Sequence, residues 1–236
     1  MWYAMMQPMK PILIIQNIRR EYPGMIQQLL DEKSIAYEIV MMEERAGNPP
    51  DLKNYQALMV LGGPDSANDT TPKMLAEIKL VQQALAQQLP FLGICLGHQV
   101  VVKAAGGKVV HCPKREIGWG YTIQLTPTGK IDPLFHSLPE AIPTFQLHGE
   151  MVQVVDGITV LATGDNCPVQ VVKVGRQAYG VQCHFELHDQ LYETWLNEDS
   201  DLQKLDRTEM EKYWQKVKDG YLATGRKLME NWLNLL

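Results

Sequence analysis

Short apolar runs alternate with amphipathic stretches in the first hundred residues of the chain. Four runs are almost wholly apolar, as in strands covered on both faces of a sheet: residues 11–17, 37–42, 57–63 and 91–96. Apolar residues at helical spacing follow Pro23, the Thr71-Pro72 pair and the fourth run, which predicts three helices. The third of these helices is predicted to end at Gly106. This order predicts a doubly wound α/β fold, with a mostly parallel sheet and helices on both faces.

Strand-like segments dominate the next part of the chain, at residues 118–126, 144–148, 159–163, 168–175 and 178–184. We expect them to extend the sheet and to add a small antiparallel one. Beyond His188 the pattern is helical, so residues 189–236 are predicted to form a C-terminal helical segment. Its expected buried anchors are Trp195, Tyr213, Val217, Tyr221, Trp232 and Leu236. Since no Ser/Gly linker interrupts the sequence, we predict a single domain over residues 1–236, with residues 1–10 as an arm.

The composition of the chain argues against nucleic acid and membranes as partners. Net charge is -5 with a pI near 5.7, and no basic stripe stands out, so nucleic acid is not an expected partner. No apolar run is long enough for a membrane helix, so no membrane partner is expected either. The four cysteines, Cys95, Cys112, Cys167 and Cys183, lack metal-type spacing and predict reduced thiols in a cytoplasmic protein.

The segment GICLGHQ, residues 93–99, carries the strongest chemical signal. A strand ends at a cysteine that lies between two glycines, and a helix begins at once, which is the cysteine form of a nucleophile elbow. The helix N-terminus favours the reactive thiolate of Cys95, and the N–H of Leu96 is placed to bind an oxyanion. The alternative is that Cys95 is only a small buried hydrophobic residue.

Two further segments supply partners for this cysteine. In GVQCHFE, residues 180–186, His184 and Glu186 project from the same face of an extended chain, so Glu186 can orient a His184 base. Cys183 points the other way and is predicted to be structural. The glycine pair of LGGPDS, residues 61–66, exposes backbone N–H groups that could complete an oxyanion hole, although Gly-Gly-Pro is also a common turn.

Taken in order, GGP, GICLGHQ and the late HFE resemble the class I (triad) glutamine amidotransferases, with a flavodoxin-like fold. The likeness is greatest to free-standing members similar to the amidotransferase domain of GMP synthase, and it spans about residues 11–188. REIGWG (115–120) and FQLHGE (145–150) also resemble family segments that line the glutamine pocket. The three core motifs are highly specific as a set.

This resemblance implies a role for each matched residue. Cys95 would be the nucleophile, His184 the general base and acid, and Glu186 the residue that orients His184. The family commonly has proline where Phe185 stands, a departure expected to change local stiffness but not the chemistry. The remaining matched positions are oxyanion donors at Gly63 and Leu96, and glutamine contacts at Gln99, Gly149 and Glu150. His98 is expected to pack or support, and His148 either to support the pocket or only to pack.

The resulting hypothesis is hydrolysis of the glutamine amide to glutamate and ammonia through a Cys95 thioester, without cofactor or metal. Since no Ser-Gly-Gly pyrophosphatase loop or P-loop is present, an ammonia acceptor would lie on another chain, such as a synthase partner. Two alternatives stay open. One is a γ-glutamyl peptidase or hydrolase, whose substrate is a γ-glutamyl compound. The other is a catalytically silent regulatory binding module.

Overall fold

The computed structural model of the chain describes residues 10–42, 44–45 and 48–236, so most of the predicted N-terminal arm lies outside the described residues. The strands are β1 (Ile12–Gln16), β2 (Tyr37–Met41), β3 (Ala57–Val60), β4 (Phe91–Ile94), β5 (Lys108–Leu125), β6 (Ala141–Gln153), β7 (Ile158–Thr163), β8 (Val171–Val174) and β9 (Ala178–Val181). The α-helices are α1 (Met25–Glu32), α2 (Pro72–Ala86), α3 (Leu96–Ala104), α4 (Pro127–Ile131), α5 (Asp189–Glu198) and α6 (Arg207–Leu233).

These strands belong to one sheet, in the order β2-β1-β3-β4-β9-β8-β7-β5-β6. Neighbouring strands from β2 to β9 are parallel, and the remaining pairs from β9 to β6 are antiparallel. The predicted α/β class, with a mostly parallel sheet and an antiparallel addition, is therefore confirmed. The addition continues the same sheet through a short pairing of Gln124 and Leu125 with β7.

Alternate residues of the central strands feed two cores, because successive side chains of a strand point to opposite faces. On β1, Ile12 and Ile14 pack with apolar residues of α1 and α6, whereas Leu13 and Ile15 pack with those of α2 and α3. The predicted start of α2 is confirmed, since the Thr71 hydroxyl accepts a hydrogen bond from the Met74 N–H at 3.2 Å. Both faces of the parallel region are thus covered by helices.

The antiparallel strands β5 and β6 are longer than their predicted segments, whereas β8 is shorter than the predicted segment 168–175. The predicted strands at 118–126 and 144–148 are parts of an extended β5–β6 hairpin, whose register shifts between His111 and Glu116 and again after Gly118. The polar sequence HCPKRE at the first shift lacks the alternation of apolar and polar residues that is typical of a strand. The sequence pattern therefore does not predict this part of β5. The hairpin brings the REIGWG and FQLHGE segments opposite each other, with Glu116 paired to His148.

The C-terminal segment is helical, but it is broken between α5 and α6. His188 caps α5 through its Nδ1, and a 3-10 turn at Leu202–Lys204 precedes α6. Trp195, Tyr221 and Trp232 are buried as predicted, while Tyr213 and Val217 are half-buried. The prediction for Leu236 is wrong, because this terminal residue follows the end of α6 and is 42% exposed. Among the described residues, no helix combines the length and apolarity needed to cross a membrane.

Candidate active site

A sharp turn between β4 and α3 presents Cys95. The residue has φ 52° and ψ −102°, a left-handed conformation that costs energy for a side chain other than glycine. The flanking glycines are needed for the turn: a Cβ on Gly93 would lie 2.3 Å from the Gly97 carbonyl oxygen, and one on Gly97 would lie 2.1 Å from that of Val60. The predicted elbow geometry is therefore present.

The proposed oxyanion donors flank this cysteine. Leu96 is the first residue of α3, so its N–H has no carbonyl one turn earlier to bind. Leu61 makes the last backbone bond of its segment to β1, through the Ile15 carbonyl at 3.0 Å, and Gly62 and Gly63 then leave the sheet. A Cβ added to Gly63 would lie 3.2 Å from a methyl group of Leu96, so the two segments meet beside Cys95.

His184 and Glu186 form a buried pair on the other side of the cysteine. The Nδ1 atom of His184 lies 2.6 Å from Glu186 Oε1, and Glu186 Oε2 accepts the Phe185 backbone N–H at 2.8 Å. A proline in place of Phe185 could not donate that bond. The His184 ring meets the Trp195 ring edge-on with centroids 4.7 Å apart, so α5 also fixes the imidazole.

The electrostatic environment favours the charged form of His184. Burial opposes the imidazolium, but the negative charges of Glu186 and Cys95 outweigh it and raise the pKa of His184 well above its usual range. The two residues are close: a Cβ placed on Gly62 would lie 3.1 Å from His184 Cε1 and 3.6 Å from Cys95 Cβ. With Nδ1 held by Glu186, Nε2 is the nitrogen left for the sulfur.

These elements open into a cavity of about 520 Å³ at the carboxyl ends of the parallel strands. Its lining includes the sequence-predicted residues Gly63, Cys95, Leu96, Gln99, Gly149 and Glu150. The triad candidates His184 and Glu186 are absent from that lining because both are almost fully buried behind it. The sequence-predicted residues thus converge on one place, as expected at the strand ends of an open α/β sheet.

The substrate-side residues are tied to one another by hydrogen bonds. The Gln99 side-chain amide donates to the Glu150 carbonyl and to Gln182 Oε1, both at 3.4 Å. The Glu150 carboxylate accepts from the Ser66 hydroxyl at 2.8 Å. A Cβ added to Gly149 would lie 2.9 Å from Arg115 Nε, so the Arg115 side chain packs directly against this glycine. The GGPDS loop, α3 and β6 are therefore joined around the cavity.

His148 supports the pocket by anchoring the Gly149–Glu150 turn. Its Nδ1 lies 2.9 Å from the Glu150 carbonyl oxygen, and its Nε2 lies 2.9 Å from Glu116 Oε2. Burial disfavours the imidazolium, but bonds to Cys112 and Glu116 raise the pKa of His148 to about 9. His98 differs, because burial lowers its pKa to about 3 and leaves it neutral at the core of α3.

Within the described part of the chain, one group of side chains has ligand atoms close enough for a cation. Those of Glu116, His148 and Cys167 all lie within 4.8 Å of one another. Glu116 Oε2, however, already faces His148 Nε2 and accepts from Gln170 Nε2, both at 2.9 Å. We therefore assign the group as a hydrogen-bond network that shapes the cavity wall.

Glu21, an acid on the cavity lining close to His184, was not predicted from the sequence. Burial raises its pKa to about 7, and Arg20 beside it lies 3.0 Å from Asp199, the residue after α5. One signal was available: Glu21 follows the first buried strand, and the carboxyl ends of parallel strands meet at one edge of a sheet. Cys112 also lies on the lining, but no such signal was available for it because this part of β5 is not predicted as a strand.

The fold and site define an α/β protein whose cysteine elbow faces a buried histidine–glutamate pair. The sequence profile of the family "Glutamine amidotransferase class-I" matches residues 15–200, and the chain belongs to this family.

Several relatives carry related names. The chain is 32% identical over 182 residues to the glutamine-hydrolyzing GMP synthase subunit of Methanococcus maripaludis, covering 75% of this chain and 88% of that protein. It is 36% identical over 143 residues to the glutamine amidotransferase-like protein YfeJ of Salmonella typhimurium, covering 58% of this chain and 59% of YfeJ. A match to the glutamine-hydrolyzing GMP synthase of Clostridium novyi, 29% identical, spans 78% of this chain and 34% of that protein.

Solved structures show the same fold. A glutamine amido transferase from Methylobacillus flagellatus superposes with a TM-score of 0.86 at 24% identity, over 96% of this chain and 95% of that one. A glutamine amidotransferase from Thermotoga maritima gives a TM-score of 0.85 at 24% identity, over 96% and 99% of the two chains.

Proposed function

We propose that the chain hydrolyses the side-chain amide of glutamine, through a thioester on Cys95, and releases glutamate and ammonia. The observation that carries the proposal is the position of Cys95: a strained elbow at a helix N-terminus, opposite a histidine whose Nδ1 is bound by Glu186. This arrangement contains a nucleophile, a base and the group that orients the base. Membership of the class I family supports the same reaction class.

In the first half-reaction, the Cys95 thiolate attacks the amide carbon of glutamine. The negative charge that develops on the carbonyl oxygen is received by the N–H groups of Gly63 and Leu96, and one such donor is worth about 10²–10³ in rate. Because the pKa of His184 is raised, the ring carries a proton at neutral pH. His184 gives that proton to the departing ammonia, and the γ-glutamyl thioester remains.

In the second half-reaction, neutral His184 removes a proton from water, which attacks the thioester carbon. Collapse of the tetrahedral intermediate releases glutamate and restores the Cys95 thiolate with protonated His184. Glu186 keeps Nδ1 of the ring protonated and Nε2 directed at the reacting atoms throughout. Such a positioned base contributes about 10²–10⁴ in rate.

The α-amino and α-carboxylate end of glutamine is proposed to bind at Gln99, Gly149 and Glu150. These residues line the cavity beside Cys95, and their hydrogen bonds fix the backbone of the turn. Phe185 supports Glu186 through its N–H, a bond that the proline common in the family could not make. Ammonia could pass to an acceptor on a synthase partner chain, a proposal supported by the Methanococcus relative, whose name is that of a GMP synthase subunit.

A γ-glutamyl compound is a second candidate substrate. The cavity volume of about 520 Å³ falls in the range that holds drug-sized ligands. The cavity extends past Cys95 to Arg20, Glu21, Asp199 and Asp201, which could contact a leaving amine larger than ammonia. The chemistry at Cys95 and His184 would be unchanged.

Glutamate release from purified protein tests both candidates, first with glutamine and then with a panel of γ-glutamyl compounds. Cys95→Ala is the blank, and Cys112→Ala is the matched control because it removes another thiol from the same cavity. We expect activity in the wild type and the control, and none in the blank. No release above the blank on any substrate would contradict stand-alone activity and favour an obligate partner or the silent regulatory module.

A further inference from the structure

A second thiol faces the active-site cavity. Cys112 lies on β5 at the shift of register between His111 and Glu116, is partly exposed, and lines the cavity with Cys95. Its sulfur is 3.6 Å from His148 Nδ1. A cationic imidazole at that distance stabilises a thiolate, which is the form that reacts with oxidants.

A third thiol lies behind this one. Cys167, between β7 and β8, is fully buried, and its sulfur lies within 4.8 Å of the nearest ligand atoms of His148 and Glu116. The neighbouring Cys167 thiol is the main cause that lowers the pKa of Cys112 to about 5, with His148 adding to it. The same contact raises the pKa of Cys167, and the Cys167 thiol donates to the Val169 carbonyl at 3.5 Å, so Cys167 keeps its proton.

We propose that Cys112 is a site of peroxide oxidation and that Cys167 is its resolving thiol, so that the cavity wall can carry a reversible Cys112–Cys167 disulfide. The disulfide does not depend on the proposed function of Cys95. Only its effect on glutamate release does.

Oxidation would proceed in two steps. The Cys112 thiolate attacks one oxygen of hydrogen peroxide, so an S–O bond forms, the O–O bond breaks, and hydroxide leaves with the electron pair. The sulfur, oxidised by two electrons, is then a sulfenic acid. Cys167 attacks this sulfur: the S–S bond forms, the S–OH bond breaks, and the Cys167 proton leaves with the hydroxyl group as water.

Access for peroxide separates Cys112 from Cys183. Cys183 is 2% exposed and burial raises its pKa, so it offers peroxide neither access nor a thiolate, whereas Cys112 is partly exposed on the cavity lining. Formation of the disulfide would withdraw Cys112 from His148, which holds the Glu150 carbonyl at 2.9 Å. Since that carbonyl belongs to the proposed glutamine site, we expect oxidation to lower glutamate release.

The test uses reduced full-length protein, treated with increasing hydrogen peroxide, alkylated and digested with trypsin. The four cysteines fall on separate tryptic peptides, 80–103, 109–114, 131–173 and 177–204. We expect a linked 109–114/131–173 pair that thiol reductant removes. Persistence of free Cys112 while Cys95 is oxidised, or linkage of Cys112 to any thiol other than Cys167, would overturn the proposal.

Two variants separate the steps. Cys167→Ser should accumulate a Cys112 sulfenic acid that a 1,3-dione reagent captures, while Cys112→Ser should leave Cys167 alkylatable after the same treatment.

In wild-type protein, the alkylation rate of Cys112 should reach half its plateau near pH 5. His148→Gln should move that midpoint upward, towards the value of about 8.5 for an ordinary thiol. An unchanged midpoint, or oxidised Cys167 in Cys112→Ser, would contradict the assignment.

Discussion

Two Cys–His–Glu groups lie in and behind the cavity wall, and they differ in how the histidine is bonded. In the first, Cys95 faces His184, whose Nδ1 lies 2.6 Å from Glu186. In the second, Cys112 lies 3.6 Å from His148, whose Nε2 lies 2.9 Å from Glu116. Both groups therefore consist of the same three residue types.

The two histidines differ in how many of their ring nitrogens are already engaged by groups that hold the ring in place. His148 Nδ1 is also bound to the Glu150 carbonyl at 2.9 Å, so both of its ring nitrogens are engaged and the ring acts as a fixed cation. His184 has Nδ1 engaged by Glu186, which leaves Nε2 to exchange a proton with the reacting atoms. Cys95, unlike Cys112, also sits at a helix N-terminus beside candidate oxyanion donors. In the proposed reaction the histidine must carry a proton to and from the reacting atoms, and of these two rings His184 has the nitrogen available to do so.

Replacing each histidine should give the largest contrast. His184→Ala removes both the acid and the base, so glutamate release should fall about 10³–10⁴-fold. His148→Gln should cost much less, since it disturbs the Glu150 turn without removing a proton carrier. Steady-state kinetics of both variants against wild type provide the measurement, with circular dichroism as the control for folding. Equal losses in kcat would contradict the distinction between the two rings.

Glu186→Gln tests whether the orienting role is separate from proton transfer. The amide oxygen can still accept a bond from His184 Nδ1, so turnover should fall by about 10- to 100-fold, less than for His184→Ala. The measurement is kcat with glutamine for the two variants. If the losses match while the fold is intact, the charge of Glu186 contributes more than its hydrogen bond.

Gly97→Ala asks whether the elbow tolerates a side chain. The added Cβ would lie 2.1 Å from the Val60 carbonyl oxygen, so we expect a loss of about 3 kcal/mol or more in the free energy of unfolding. Gly220→Ala in α6 is the matched control, because no atom of the described residues lies within 4 Å of its added Cβ beyond its own helix backbone and chain neighbours. That change should stabilise the helix by up to about 1 kcal/mol. Urea unfolding distinguishes them, and a Gly97→Ala protein as stable as wild type would refute the steric argument.

The smallest expected effect concerns Glu77, a buried carboxylate on α2, and the pH dependence of the free energy of unfolding. Burial raises the pKa of Glu77 to about 7, and its Oε2 has no hydrogen-bond partner among the described residues. Its pKa is higher folded than unfolded, so its stabilising contribution is complete below pH 4.5 and is lost as pH rises through 7.

Glu77→Gln should therefore raise the free energy of unfolding by about 1–3 kcal/mol at pH 8 and have little effect below pH 4.5. Urea unfolding of the variant and wild type at both pH values provides the measurement. An equal effect at both values would assign the change to packing instead of ionisation.

Much of the parallel region could be predicted because its signals are local. The elbow glycines, the Thr71 cap and the apolar runs each fix backbone within a few residues. The antiparallel hairpin could not be delimited, since its pairing partners are far apart in sequence and its polar bulge lacks alternation. The positions of Cys112 and Glu21 at the site could not be predicted for a related reason. Their surroundings in the cavity depend on contacts with distant strands and with α5.

The most direct test of the central claim is covalent labelling of the reduced protein with an electrophilic mimic of glutamine. We predict that the reagent attaches to Cys95 on peptide 80–103, and that peptides 109–114, 131–173 and 177–204 remain unmodified at stoichiometric reagent. Excess glutamine should protect Cys95, and general alkylating reagents should still reach Cys112. Stoichiometric attachment at Cys112, or labelling of Cys95 and Cys112 to the same extent, would contradict the assignment of Cys95 as the nucleophile.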